Sequence, residues 1–372
     1  MRLWVALLIV ATVLATACAG TTQTAASAHR SPSPNQTAAA PTLLCFTAPP
    51  PDWATAMANV AATLDGVNFG PGAIDEQDGV VYGGAWTGSR HMIASVALST
   101  GRMTAVAPMS ASGFGWMTYA DGWLVWIEPG VLDLQLWNAR THETRQVAAG
   151  PQLQGTSYLT GVFMNPVIGH GYMAWSQQVS SRSAELRVYE LATGHVTILD
   201  SGDLGSPVFA GADLVWTKRD AGAADPHFVF ANATTLQPVA APAELRDPRE
   251  IGFVAGAPDR LVWTGTPGSS NGTWFVDDLA ARTIRTYIAS GHYSQFPQLA
   301  GPYLVWFGAD KNSIVDLRSG AGIDLPLPGY VEAAGDTIVV ERLTGGTKGS
   351  VSRTDVSVLH PSRLSSLGPC TV

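Results

Sequence analysis

The chain has 372 residues, a net charge of -8 and 13% charged residues, well under the roughly 25% of average proteins. It holds no Lys/Arg cluster, and nucleic-acid binding needs basic surface to neutralise phosphates, so nucleic acid is excluded as a partner. Thr, Ser, Gln, Gly and Pro supply the polar surface instead, as suits an exported β protein.

The first residues set the expected compartment. Arg2 precedes an apolar run over residues 3–15, and small residues then lead to Cys18. This is the layout of a secretory signal peptide. The run is shorter than the roughly 20 apolar residues of a membrane span. Ala15-Thr16-Ala17-Cys18 resembles the bacterial lipobox, although Ala15 stands where that family usually has a larger aliphatic residue. The resemblance implies that residues 1–17 are cut away and that Cys18 carries a diacylglyceryl thioether. Acyl chains contribute about 0.8 kcal/mol per buried methylene, so two or three hold a domain on a membrane. The expected location is therefore the extracytoplasmic face of the cell membrane. If the peptide is cut elsewhere, the protein is secreted without an anchor.

Residues 18–41 are mostly Ala, Thr, Ser, Pro and Gln with almost no apolar bulk. Such a stretch cannot offset its chain entropy by burial. It reads as a tether with a reach on the order of 25 to 30 Å. Residues 42–372 form the folded domain. With Cys18 assigned to lipid, Cys45 and Cys370 remain at opposite ends of that domain. An oxidising compartment favours a disulfide between them, the alternative being two unrelated thiols.

Within the domain one short motif recurs: a turn pair, two or three aliphatic residues, then Trp or a substitute. It runs through Asp78-Gly79-Val80-Val81-Tyr82, Asp121-Gly122-Trp123-Leu124-Val125-Trp126 and His170-Gly171-Tyr172-Met173-Ala174-Trp175. It continues in Ala212-Asp213-Leu214-Val215-Trp216, Asp259-Arg260-Leu261-Val262-Trp263, Gly301-Pro302-Tyr303-Leu304-Val305-Trp306 and, weakest, Asp336-Thr337-Ile338-Val339-Val340. Copies recur about every 43 residues. Between them lies a hairpin, clearest in Leu186-Arg187-Val188-Tyr189-Glu190-Leu191-Ala192-Thr193-Gly194-His195-Val196-Thr197, whose Gly accepts a positive φ. Before each Trp motif comes a further strand, as in Ser206-Pro207-Val208-Phe209-Ala210-Gly211.

Each repeat thus reads as four short strands, a to d. Four-stranded units of 40 to 50 residues are the signature of a β-propeller. A solenoid repeats at 20 to 30 residues, and two sandwiches would not share one motif across their boundary. The expected fold is all-β, a single propeller of about seven four-stranded blades, or six if the degenerate end copies form no blade. The tryptophans are expected to pack between blades. The repeats resemble bacterial TolB-like and WD40-like propellers, over about residues 70–368, through the Gly-x-x-Leu-Val-Trp motif and the following strand pair. They lack the Trp-Ser-Pro-Asp-Gly element of TolB repeats and the terminal Trp-Asp of WD40 repeats. The resemblance implies an architecture, with a role in an envelope complex as one possibility.

Ring closure is expected where residues 43–46 meet residues 364–370. A short N-terminal helix is expected over residues 52–64, with Trp53, Met57, Val60 and Leu64 at helical spacing and Asp52 as N-cap.

Loop lengths are asymmetric. The a–b and c–d turns are tight, whereas the d–a and b–c connections are long, as at residues 150–161, 178–184, 238–250 and 265–272. The long ones emerge on one face, and function concentrates on loops held by rigid scaffolds. Trp116, Tyr158, Phe163, Tyr293, Phe296 and Tyr330 lie in or beside d–a loops and are the candidate binding residues, as exposed aromatics make good anchors.

Catalytic motifs are weak. Gly268-Ser269-Ser270-Asn271-Gly272 fits the nucleophile elbow, but it lies in a hairpin rather than a strand–turn–helix setting. His170, His227 and His292 lack metal-ligand spacing, and Asp220, Asp225 and His227 read as a solvated loop. No catalytic residue, metal or cofactor is assigned. The channel-lining a strands are apolar or small except for Asp75 and Glu332. Two functions remain. One is a monomeric envelope module that binds a protein or glycan on its long-loop face. The other is a propeller hydrolase or lyase, acting on glycans or lactones at the central channel.

Overall fold

The computed structural model describes residues 40–369 except 89, 110–115, 129–132, 149–162, 181–182, 247–249, 266–270, 291–293, 309–310, 327–328 and 345–352. Cys18 and Cys370, and with them the lipidation site and the proposed disulfide, lie outside the described residues. No helix among the described residues is long and apolar enough to cross a membrane.

The repeats fold into seven antiparallel blades, at residues 68–108, 117–148, 163–204, 208–239, 254–290, 294–326 and 331–359. Each innermost strand touches the next, and the seventh touches the first, so the ring is closed. Blades 3 and 4 are also joined by Asp203 and Leu204 pairing with Arg219 and Lys218. The seventh blade takes its outermost strand, Val60–Asp65, from the N-terminal end of the domain. This strand closes the ring, because it bonds the two ends of the domain into one sheet.

The b strands bury both faces, as a layer between two neighbours must. The tryptophans pack on the preceding blade: Trp263 lies 5.3 Å from Phe228 of blade 4, and Trp306 lies 5.1 Å from Trp274 of blade 5. The first copy differs from the expected alignment. Counted from the strand start, the Trp position there is Gly83, not Tyr82. A Cβ on Gly83 would fall 2.2 Å from the Gly70 carbonyl oxygen and 2.8 Å from the Phe69 ring. Phe69 therefore fills the space that Trp fills elsewhere, and Tyr82 packs on the opposite face against Trp137, 5.8 Å away.

Closure also differs from expectation. Thr42–Leu43 adds in parallel to the outer edge of blade 5, opposite Tyr287 and Ile288. Cys45–Thr47 adds likewise to blade 6, opposite Ala321 to Ile323. Residues 364–369 form no strand. The N-terminal segment thus runs along the outer edges of blades 5 and 6, pairing backbone groups that would otherwise face water. The helix covers Pro51–Ala58 only, starting on a proline that suits a first helical turn. Beyond it the burial alternates, with Ala62 and Leu64 inward, which is strand periodicity. Asp52 is not the N-cap. It accepts hydrogen bonds from the Ser365 backbone N–H and hydroxyl instead. Trp53 is fully buried, donates from Nε1 to the Ser365 carbonyl at 2.8 Å and packs on Tyr303 at 5.4 Å.

Candidate functional site

The innermost strands frame a central channel of about 1640 Å³. Each has one edge unpaired towards that channel, which is where a strand tolerates proline. Pro71, Pro166, Pro207 and Pro297 all line it. Register shifts at Pro71/Ala73, Met164/Val167 and Gln295/Gln298 mark bulges in blades 1, 3 and 6. Bulges re-aim side chains, and two of them hold non-glycine residues at positive φ, Asn165 at 25° and Phe296 at 53°.

The strand pairings define tiers around the channel. Residues opposite the position before the Trp of each b strand are Ala73, Thr118, Val167, Val208, Ala255, Gln298 and Glu332. All seven line the channel. Glu332 is the one carboxylate in this tier. Gln298 Nε2 donates to Glu332 Oε2 at 2.9 Å, while Gln298 Oε1 accepts from the Ala333 backbone N–H at 2.7 Å. Gln298 is thereby clamped across blades 6 and 7. Burial pushes the Glu332 carboxyl up to about 8, against the lowering effect of the Gln298 bond.

Two residues earlier in each strand, towards the d–a mouth, lies a second tier that is largely aromatic: Trp116, Phe253, Phe296 and Tyr330 in blades 2, 5, 6 and 7. The backbone confirms the equivalence. Trp116, Phe253 and Tyr330 each accept a hydrogen bond at their carbonyl from the residue following the Trp position, namely Ile127, Thr264 and Glu341. The Thr264 hydroxyl also accepts from the Phe253 N–H at 2.8 Å, and Glu341 Oε2 accepts from the Tyr330 N–H at 2.9 Å. Glu341 is almost fully buried, and burial pushes its carboxyl up to about 8. The Phe296 ring contacts Trp116 at 4.4 Å and Phe253 at 4.9 Å. Tyr330 is 49% exposed and lies 5.9 Å from Phe307.

The structure therefore brings three candidate aromatics, Trp116, Phe296 and Tyr330, to one mouth of the channel. Trp116 and Phe296 turn inward onto each other rather than outward. Tyr158 and Tyr293 lie outside the described residues, and Phe163 is described by its backbone alone, at the start of the inner strand of blade 3. Phe253 was missed, yet its offset of two residues before Ala255 matches that of Tyr330 before Glu332.

Asp75 belongs to the other mouth. Its Oδ1 accepts from the Gln77 and Asp78 N–H groups and so caps the turn. Tyr82 and Tyr119 stack beside it at 4.9 Å, and burial with the Asp75 charge pushes the Tyr82 phenol up to about 12. The His227 imidazole and the Asp220 carboxylate meet at 3.7 Å on the surface. His170 packs on Phe209 at 5.5 Å. Most of the nucleophile-elbow match lies outside the described residues.

No protein-family model and no curated protein sequence matches the chain. Solved structures do. An oligogalacturonate lyase in complex with manganese aligns at 11% identity over 78% of this chain and 90% of that one, with a TM-score of 0.53. A prolyl endopeptidase aligns at 15% identity over 84% of this chain, with a TM-score of 0.53, and the chain spans 49% of that protein. TolB from Acinetobacter baumannii aligns more loosely, at 12% identity over 61% of this chain and 58% of that one, with a TM-score of 0.38. At these identities the lyase and endopeptidase alignments show a shared fold and nothing finer.

Proposed function

We propose that the protein is a lipid-anchored, extracytoplasmic binding module of the cell envelope, which docks a protein or glycan at the d–a mouth of its channel. The aromatic tier of Trp116, Phe253, Phe296 and Tyr330 carries this reading. Aromatic side chains supply large contact area at small entropic cost, and here they sit on a rigid ring at the long-loop face. Cys18 supplies the anchor and residues 18–41 the reach. A Cys45–Cys370 disulfide would tie the segment along blades 5 and 6 to the C-terminal end. The second reading, an enzyme acting in the channel, is favoured by Glu332, a desolvated carboxyl of the kind that serves as a general acid.

The test is crosslinking from intact membranes with the native protein and with Trp116→Ala, Tyr330→Ala and a version with the 238–250 connection shortened. The reading expects one adduct, lost or weakened at least several-fold in the rim variants. An adduct indifferent to all three changes contradicts it.

A further inference from the structure

We infer that the channel holds a small-molecule ligand carrying a methylated ammonium group, seated between the aromatic tier and the Glu332 carboxylate. The inference goes beyond the rim-docking reading: it shares the aromatic tier with it, and Glu332, which rim docking does not use, separates the two tests.

Charge complementarity comes first. The described residues that line the channel include no Lys and no Arg. Glu332 is held by Gln298, a neutral donor that reaches Oε2, so no cationic side chain of this chain is bonded to it among the described contacts. Among the described residues this carboxyl meets no counter-ion of the protein's own, and desolvation raises its affinity for protons. A bound cation would supply that charge.

Shape comes second. The aromatic tier stands two residues above the Glu332 tier, which at about 3.3 Å per strand residue is roughly 7 Å. Trp116, Phe296 and Tyr330 line the same channel as Glu332, so an ammonium held between the tiers can meet an aromatic ring and the carboxylate together. Aromatic cages recognise methylated ammonium groups in this way. Phe296 makes the tier continuous by touching both Trp116 and Phe253. Its backbone sits at φ 53°, a conformation that disfavours a bulky residue and that the Pro297 bulge imposes. Strain of this kind concentrates where a side chain must be aimed.

The probes are choline and its uncharged isostere 3,3-dimethylbutan-1-ol, titrated by calorimetry and by tryptophan fluorescence into the intact protein at about pH 9, where a carboxyl pushed up to about 8 is ionised. Choline is expected to bind saturably, and at least about tenfold more tightly than the alcohol, a factor equal to about 1.4 kcal/mol. Glu332→Gln should weaken choline about tenfold and leave the alcohol unchanged, and Phe296→Leu should weaken choline as well. Thermal unfolding of each variant checks that it is folded, and the comparison of the two probes on the native protein needs no variant. Absence of saturable choline binding, equal binding of the two probes, or full choline affinity in Glu332→Gln would overturn the inference.

Discussion

Trp116 and Phe296 meet edge-on with ring centroids 4.4 Å apart, although they belong to blades 2 and 6. On a ring of seven these blades are not neighbours, so the contact spans the channel mouth. It is possible because Phe296 leaves the ordinary strand conformation. Phe296→Gly and Phe296→Ala both remove the ring, but only Gly relieves the positive φ. Gly is expected to be the more stable variant by about 1 kcal/mol in urea unfolding. Equal stability, or a more stable Ala variant, would show that φ is not strained there.

Asp277 is fully buried on the third strand of blade 5, and neither carboxylate oxygen has a hydrogen-bond partner among the described residues. Burial first, then the charges of Glu244 and Asp278, push its carboxyl up to about 7, with Arg282 opposing. A raised carboxyl destabilises the folded state once the unfolded chain ionises. The penalty is absent below about pH 4, grows through pH 7 and then levels off. Asp277→Asn should match the native protein at pH 4 and exceed it by on the order of 2 to 4 kcal/mol at pH 8. Chemical denaturation at the two pH values measures this, and a gain independent of pH would refute it.

Gly256 and Phe209 bring the inner strands of blades 5 and 4 into backbone contact. A Cβ on Gly256 would lie 2.1 Å from the Phe209 carbonyl oxygen, and backbone cannot yield as a flexible side chain does. Gly256→Ala is expected to cost about 3 kcal/mol or more, read as a fall in Tm. Gly222→Ala, where nothing lies within 4 Å but φ is 82°, should cost about 1 kcal/mol.

How much of this was legible in the residues depends on periodicity. Trp126, Trp175, Trp216, Trp263 and Trp306 revealed the b strands because both faces of such a strand are buried and Trp is conspicuous there. The register of the first blade was not legible, because Gly83 is explained by Phe69, a partner on another strand. Val60 and Leu64 fit a helical spacing as well as a strand one, and only pairing with residues 353–357 decides between them. Trp116, Phe296 and Tyr330 were legible as loop-flanking aromatics. Phe253, Gln298 and the Glu332 seat required the strand pairing, since a tier is a relation between blades and leaves no mark within one.

Trp53 joins the N-terminal helix to the C-terminal segment through Ser365. Trp53→Ala is expected to cost about 3 to 5 kcal/mol. If Cys45 and Cys370 are bonded, reduction removes up to roughly 5 to 6 kcal/mol of chain-entropy stabilisation, and the two losses should couple because both act on the same closure. Non-reducing peptide mapping with urea unfolding in both redox states tests this. A free thiol at Cys45 would contradict the bond.

The central claim is that the d–a mouth is the working face. Site-specific photo-crosslinking in the cells that make the protein tests it most directly, with the probe placed in turn at Tyr330 on that mouth and at Thr193 in a c–d turn on the opposite face. The account predicts a discrete adduct from position 330 and none from position 193. An adduct from 193 alone, or the same adduct from both, would contradict it.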